Sequence, residues 1–155
     1  MAAPPYIAVV GASQPTESQE RAAEEVGRAL GAAGAVVITG GRGGVMAAAS
    51  HGAREAGAIV VGVLPGGDRR EANEWVTVAL PTGLGELRNG LVVRAADAVV
   101  AVGGAYGTLS EIALALAAGT PVVGVDSWPI DGVEVAASAG AAAQRALQLA
   151  RGGAA

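Results

Sequence analysis

Apolar residues in this chain follow two periods. Tyr6–Val10, Ala35–Thr39, Ala58–Leu64, Asp97–Val102 and Pro121–Val125 are short, nearly continuous apolar runs rich in Val and Ile. Runs of that kind mark strands buried on both faces. Between them the apolar positions recur at helical spacing, from Glu17 to Ala33, Val45 to Ala56, Thr82 to about Ala96, Thr108 to Ala118, and Ala139 to Arg151. Thr16-Glu17-Ser18-Gln19 has the form of a capping box with Pro15 before it, and Gly34 ends the helix that it opens. Trp75–Leu80 reads as a short further strand, Pro65–Asn73 as an exposed polar loop, and Gly152–Ala155 as a frayed tail.

Strands that alternate with helices require right-handed crossovers and a parallel sheet covered on both faces. The predicted fold is therefore α/β, a Rossmann-like doubly wound parallel sheet in three αβα layers. With no repeat and no linker, residues 1–155 read as one domain. In such sheets ligands bind beyond the carboxyl ends of the strands, where the strand order reverses. Four glycine-bearing turns follow predicted strands: Gly11-Ala12-Ser13, Gly40 to Gly44, Pro65-Gly66-Gly67, and Gly103 to Gly107. All four are expected on one edge of the sheet. Turns that feed helix N-termini offer free N–H groups and a partial positive charge, and glycine lets a ligand approach the backbone. The expectation is a site for a phosphorylated, nucleotide-like small molecule.

Composition removes several alternatives. Hydrophobic residues are 52% of the chain but aromatics only 3%, with no Phe, so Val, Ile, Leu and Ala must build the core. Cys is absent, which excludes disulfides, thiolate metal sites and a Cys nucleophile. All ten basic residues are Arg. Without Lys there is no Schiff base for pyridoxal phosphate and no P-loop lysine. A net charge of -4 gives no basic face for nucleic acid. No apolar run approaches the roughly 20 residues of a membrane span, and the N-terminus lacks signal-peptide features, so a cytoplasmic protein is expected. Val10-Gly11-Ala12-Ser13-Gln14 departs from the dinucleotide fingerprint, and no acid follows Thr39-Gly40 to hold a ribose.

Individual side chains carry double readings. Thr108-Leu109-Ser110-Glu111 fits a capping box, which spacing alone favours; alternatively Glu111 is a carboxylate at the mouth of the site. Arg88 is a solvated helical residue or a fixed charge facing a phosphate. Arg42, inside a glycine turn, is the better intrinsic candidate for anion contact. Arg69 and Arg70 sit in the polar loop, where they are solvated or close over a ligand. His51, the only histidine, has no evident partner for a triad or a metal and reads as structural. Trp128 follows a strand end and either stacks on a ring or packs.

Ile38-Thr39-Gly40-Gly41-Arg42-Gly43-Gly44-Val45-Met46 resembles the first glycine motif of the LOG-like ("lonely guy", SLOG superfamily) Rossmann proteins. Arg88-Asn89, Ala96-Asp97-Ala98-Val99 and Gly103-Gly104-Ala105-Tyr106-Gly107-Thr108-Leu109-Ser110-Glu111 resemble the second block, in the same order. The resemblance implies phosphate held by Gly104, Gly107 and Thr108. The wider ligand set is Gly11, Ser13, Gly40, Gly41, Arg42, Gly43, Gly44, Asn89, Gly103 and Tyr106. In the family's phosphoribohydrolases, which release the base from nucleoside 5′-monophosphates, Arg88 and Glu111 match the hydrolytic pair. Asn89 stands where those enzymes have Lys, and Gly103 where they have Pro. These departures, with Leu80-Pro81-Thr82-Gly83, resemble the short branch that includes molybdenum cofactor carrier proteins. The resemblance thus implies a carrier for a phosphorylated pterin, with a phosphoribohydrolase of AMP or N6-modified nucleoside 5′-monophosphates as the alternative. No resident cofactor or metal is implied, and the expected partners are a small phosphorylated ligand and a second copy of the chain, in a homodimer or tetramer.

Overall fold

The computed structural model describes residues 2–153. In chain order it contains β1 (Tyr6–Gly11), α1 (Glu17–Ala32), β2 (Val36–Thr39), α2 (Val45–Glu55), β3 (Val60–Leu64), β4 (Val78–Pro81), α3 (Arg88–Arg94) and β5 (Ala98–Val102). It continues through α4 (Tyr106–Ala117), β6 (Val122–Val125), β7 (Val133–Val135) and α5 (Ala139–Gly152). The strands form one sheet in the order β4-β3-β2-β1-β5-β6-β7, and all neighbours are parallel. The chain builds outward from β1 to one edge, then crosses back and builds outward from β5 to the other. The strand order therefore reverses between β1 and β5, which is where a doubly wound sheet leaves a crevice.

Alternation along β1 sorts the two cores. Ile7 and Val9 pack with α1, α2 and α5 on one face, while Ala8 and Val10 pack with α3 and α4 on the other. The α1 cap forms as predicted: Thr16 Oγ1 accepts from the Gln19 N–H at 3.2 Å, and Gln19 Oε1 accepts from the Thr16 N–H at 3.0 Å. Glycines set how closely α1 and α2 approach. A Cβ on Gly27 would lie 2.0 Å from the Ala49 carbonyl oxygen, and one on Gly52 would lie 2.0 Å from that of Glu24. No helix among the described residues is long and apolar enough to cross a membrane.

Several boundaries differ from the periodicity. The single helix expected from Thr82 to Ala96 is broken. Thr82 Oγ1 donates to the Leu64 carbonyl at 2.7 Å and accepts from the Leu84 N–H at 3.2 Å, which ties the chain to the end of β3. Gly83 and Gly85 then take φ of +66° and +61°, so only a 3₁₀ turn (Gly85–Leu87) precedes α3. The strand expected at Trp75–Leu80 lies at Val78–Pro81, because the Trp75 N–H is held in a turn by Asn73 Oδ1 at 3.1 Å. The three-residue β7, with exposed Glu134 and Val135, gave no apolar run to detect. At the end of the chain, α5 extends through Gly152, which corrects the tail expected from that residue. Ala154 and Ala155 lie outside the described residues.

Candidate functional site

A cleft of about 360 Å³ opens beyond the carboxyl ends of the strands at the reversal point. The end of β1 (Val9 to Gly11) and the following Ala12 and Ser13 line one side. Gly40 comes from the β2–α2 connection, Met46 from the start of α2, and Arg88 and Asn89 from the start of α3. The first two turns of α4 supply Gly107, Thr108 and Glu111.

The start of α4 decides the chemistry. The helix begins at Tyr106 with Ala105 as its N-cap, two residues before the expected Thr108. Alanine has no side-chain acceptor, and the capping box between Thr108 and Glu111 does not form. Thr108 and Glu111 instead turn inward, 3% and 8% exposed. The first backbone bond of the helix runs from the Leu109 N–H to the Ala105 carbonyl at 3.0 Å. The N–H groups of Tyr106, Gly107 and Thr108 have no acceptor among the described residues. These are the orphan donors of a helix N-terminus, where the helix dipole favours an anion. Two side chains hold this turn from outside: Ser127 Oγ donates to the Gly103 carbonyl at 2.7 Å, and Trp128 Nε1 donates to that of Ala105 at 3.2 Å.

Arg88 crosses the cleft from the first residue of α3. Its Nε donates to the Val63 carbonyl at 3.0 Å, its Nη1 to Asn89 Oδ1, and its Nη2 lies 3.5 Å from the Gly40 carbonyl. Burial pulls its pKa down, the carboxylate of Glu111 pulls it back up, and Arg42 pushes it down again. A guanidinium nevertheless stays charged in proteins. Glu111 makes no hydrogen bond or ion pair among the described residues. Burial pushes its carboxyl up to about 7, against the opposing pull of Arg88. The Thr108 hydroxyl is likewise without a hydrogen-bond partner among the described residues. The cleft thus brings together a fixed cation, three free amides, a hydroxyl open to the cleft and a carboxyl group pushed up to about 7. That set can hold a phosphate and can exchange a proton beside it.

The expected residues divide. Gly11, Ser13, Gly40, Arg88, Asn89, Gly107, Thr108 and Glu111 meet at the cleft. Gly41, Arg42, Gly43 and Gly44 do not line it. Arg42 turns away and pairs with Glu71 at 3.1 Å. Gly103 and Gly104 face a neighbouring groove, and Tyr106 stands beside it, 81% exposed. Arg70 pairs with Asp68 at 2.6 Å. His51 lies between Glu24 at 3.6 Å and Glu55 at 3.3 Å, with its ring centroid 4.7 Å from that of Trp75. Met46 and Pro65, named only as parts of their motifs, line the cleft, and so does Glu86, which was not singled out. For Glu86 the signal was present in Gly83 and Gly85, which interrupt the helical period just before it.

The model of the SLOG cluster4 family matches residues 4–151. This chain belongs to the SLOG cluster4 family. An uncharacterised protein of Archaeoglobus fulgidus is 42% identical over 118 residues, 75% of this chain and 76% of the relative. Among solved structures, the Moco carrier protein of Chlamydomonas reinhardtii matches this SLOG cluster4 chain with a TM-score of 0.89 at 36% identity. That match covers 97% of this chain and 99% of the other. The molybdenum cofactor binding protein of the phototrophic bacterium Rippkaea orientalis matches with a TM-score of 0.87 at 32% identity, covering 98% of each chain.

Proposed function

We propose that the cleft binds the molybdenum cofactor through its phosphate and that this chain is a cytoplasmic carrier for it. The observation that carries the reading is the uncapped N-terminus of α4 opening into the cleft that Arg88 crosses. The phosphate sits on the amides of Tyr106, Gly107 and Thr108, with Arg88 as its counter-charge and the Thr108 hydroxyl as a further partner. The pterin ring occupies the remaining space toward Met46 and Gly40. A volume of about 360 Å³ lies within the usual range for small-molecule sites. Names of two structural relatives support the same ligand. Asn89 in the lysine position of the hydrolytic pattern leaves one cation beside the phosphate and favours holding over turnover.

Calorimetric titration with the isolated cofactor tests this, with AMP as a second phosphorylated probe. One ligand per chain is expected. Arg88→Ala should weaken binding by roughly 10- to 100-fold, the worth of a charge-assisted hydrogen bond. Absence of binding by either probe would overturn the proposal.

One observation favours a second reading. A buried carboxyl at about pH 7 is poised for acid–base work. Glu111 would direct water at C1′ of AMP; the C1′–O bond forms, the C1′–N9 bond breaks, and the proton released by water passes to the departing adenine. Saturating AMP should then yield adenine and ribose 5-phosphate, and Glu111→Gln should abolish the release. No adenine from the unmodified protein excludes this reading.

We also propose a homodimer. Leu87, Leu91 and Leu114 are exposed on α3 and α4 and the turn before them, with Leu87 79% exposed. The outer face of α5 instead carries Gln144, Arg145 and Gln148. Of the two helices rich in Ala and Leu, α4 is therefore the better interface.

A further inference from the structure

The turn that forms the phosphate end of the cleft has a second hollow on its other side. A groove of about 260 Å³ is lined by Gln19, Gly103, Gly104, Asp126, Ser127 and Trp128. Gly103 and Gly104 face the groove, whereas Ala105 and Gly107 face the cleft. The turn is thus a partition only a few residues wide. The free amides at the start of α4 stand on it, between two hollows.

The side chains around the groove are unusual for this molecule. The whole chain has four Tyr and Trp residues and no Phe. Two of them meet here: the rings of Tyr106 and Trp128 stack with centroids 6.2 Å apart and planes 25° from parallel. Core packing does not account for Tyr106, which is 81% exposed. The Trp128 indole is fixed to the partition through its bond to the Ala105 carbonyl. Asp126 follows the carboxyl end of β6 and is oriented by Gln19, whose Nε2 donates to Oδ2 at 3.0 Å. Its Oδ1 has no hydrogen-bond partner among the described residues. A carboxylate beyond a strand end of a doubly wound sheet is well placed to accept from ribose hydroxyls, and an aromatic face is suited to stack on a base. Among the described residues, the lining of the groove has no cationic side chain to pair with a second phosphate.

We infer that the groove is a nucleoside subsite and that the site takes ligands in which a pyrophosphate joins the ring system in the cleft to a nucleoside. The pyrophosphate lies across the partition on the amides of α4. The base stacks on the Tyr106–Trp128 pair, and the ribose hydroxyls donate to Asp126. The inference rests on the phosphate site proposed for the cleft and adds to it a second half of the ligand.

Calorimetry on the full chain tests it with two matched pairs of probes. One pair is ribose 5-phosphate, which carries no base, and ADP-ribose, in which a pyrophosphate joins that sugar to adenosine. The other is the molybdenum cofactor and the same cofactor extended through a pyrophosphate to a nucleoside. The extended member of a pair that binds should do so at least ten-fold more tightly than the short member. Asp126→Gly, which suits the φ of +49° at that position, should remove most of the gain and leave the short ligand's affinity unchanged. A Trp75→Phe protein, with Trp128 as its only tryptophan, should be quenched by the extended ligand and not by the short one. If the short ligands bind and the extended ones gain nothing, or the gain survives Asp126→Gly, the second subsite is overturned and the carrier reading stands. If no probe of either length binds, both fall.

Discussion

Glu111 is buried beside a cation that it does not touch through any hydrogen bond, and its carboxyl titrates at about 7 rather than its usual 4.5. A folded-state pKa above the unfolded value means that the native protein holds this proton more tightly. Its contribution is fully present below pH 4.5 and is lost as pH rises through 7. Glu111→Gln should therefore be more stable than the unmodified protein at pH 8, by about 3 kcal/mol at the conversion of 1.36 kcal/mol per pKa unit. The difference should vanish at pH 4. Urea melts at the two pH values measure it; equal stability at pH 8 would mean that the carboxylate has a partner. This residue also marks a limit of reading from sequence. Thr108 and Glu111 have capping-box spacing, and spacing does not say which residue is the cap. Moving the helix start to Ala105 converts the same two residues from a local cap into groups facing the cleft. The signal that displaces the start is not local: Trp128 and Ser127, some twenty residues later, hold the turn.

At the scale of elements, β1, β2, β3, β5 and β6 were legible because both faces of each are covered, which leaves no polar alternation. β7 was not, because two of its three residues are exposed. The α1–α2 contact depends on Gly27 and Gly52, whose role periodicity cannot reveal: a glycine in a helix reads as a weakness until its neighbour is known. Gly27→Ala should cost about 3 kcal/mol, because the added methyl meets the Ala49 backbone rather than a movable side chain. A shifted denaturant midpoint with unchanged slope would report it. An unchanged midpoint would mean that the helices separate at little cost. The broken helix before α3 matters for function as well. Were Thr82 to Ala96 continuous, Arg88 would be a mid-helix residue; instead it opens α3 and reaches the ends of β2 and β3.

For the whole molecule, the doubly wound parallel sheet followed from alternation of strands and helices, the place of its reversal between β1 and β5 did not, and the glycine turns did fall on one edge. The edge as a whole is broader than the site. The turn at Gly41 to Gly44 lies outside the cleft, and Arg42 is engaged by Glu71. Exposed leucines on α3 and α4 predict association of two chains. Light scattering should give twice the mass of one chain, and Leu87→Glu with Leu114→Glu should return it to one; a single-chain mass for the unmodified protein contradicts the dimer. The central claim is that phosphate sits on the start of α4. Backbone amide shifts in an isotope-labelled protein, followed as the molybdenum cofactor is added, test it most directly. The N–H signals of Tyr106, Gly107 and Thr108 should move most, and Arg88→Ala should suppress the change. Shifts that leave those three amides in place would contradict the account.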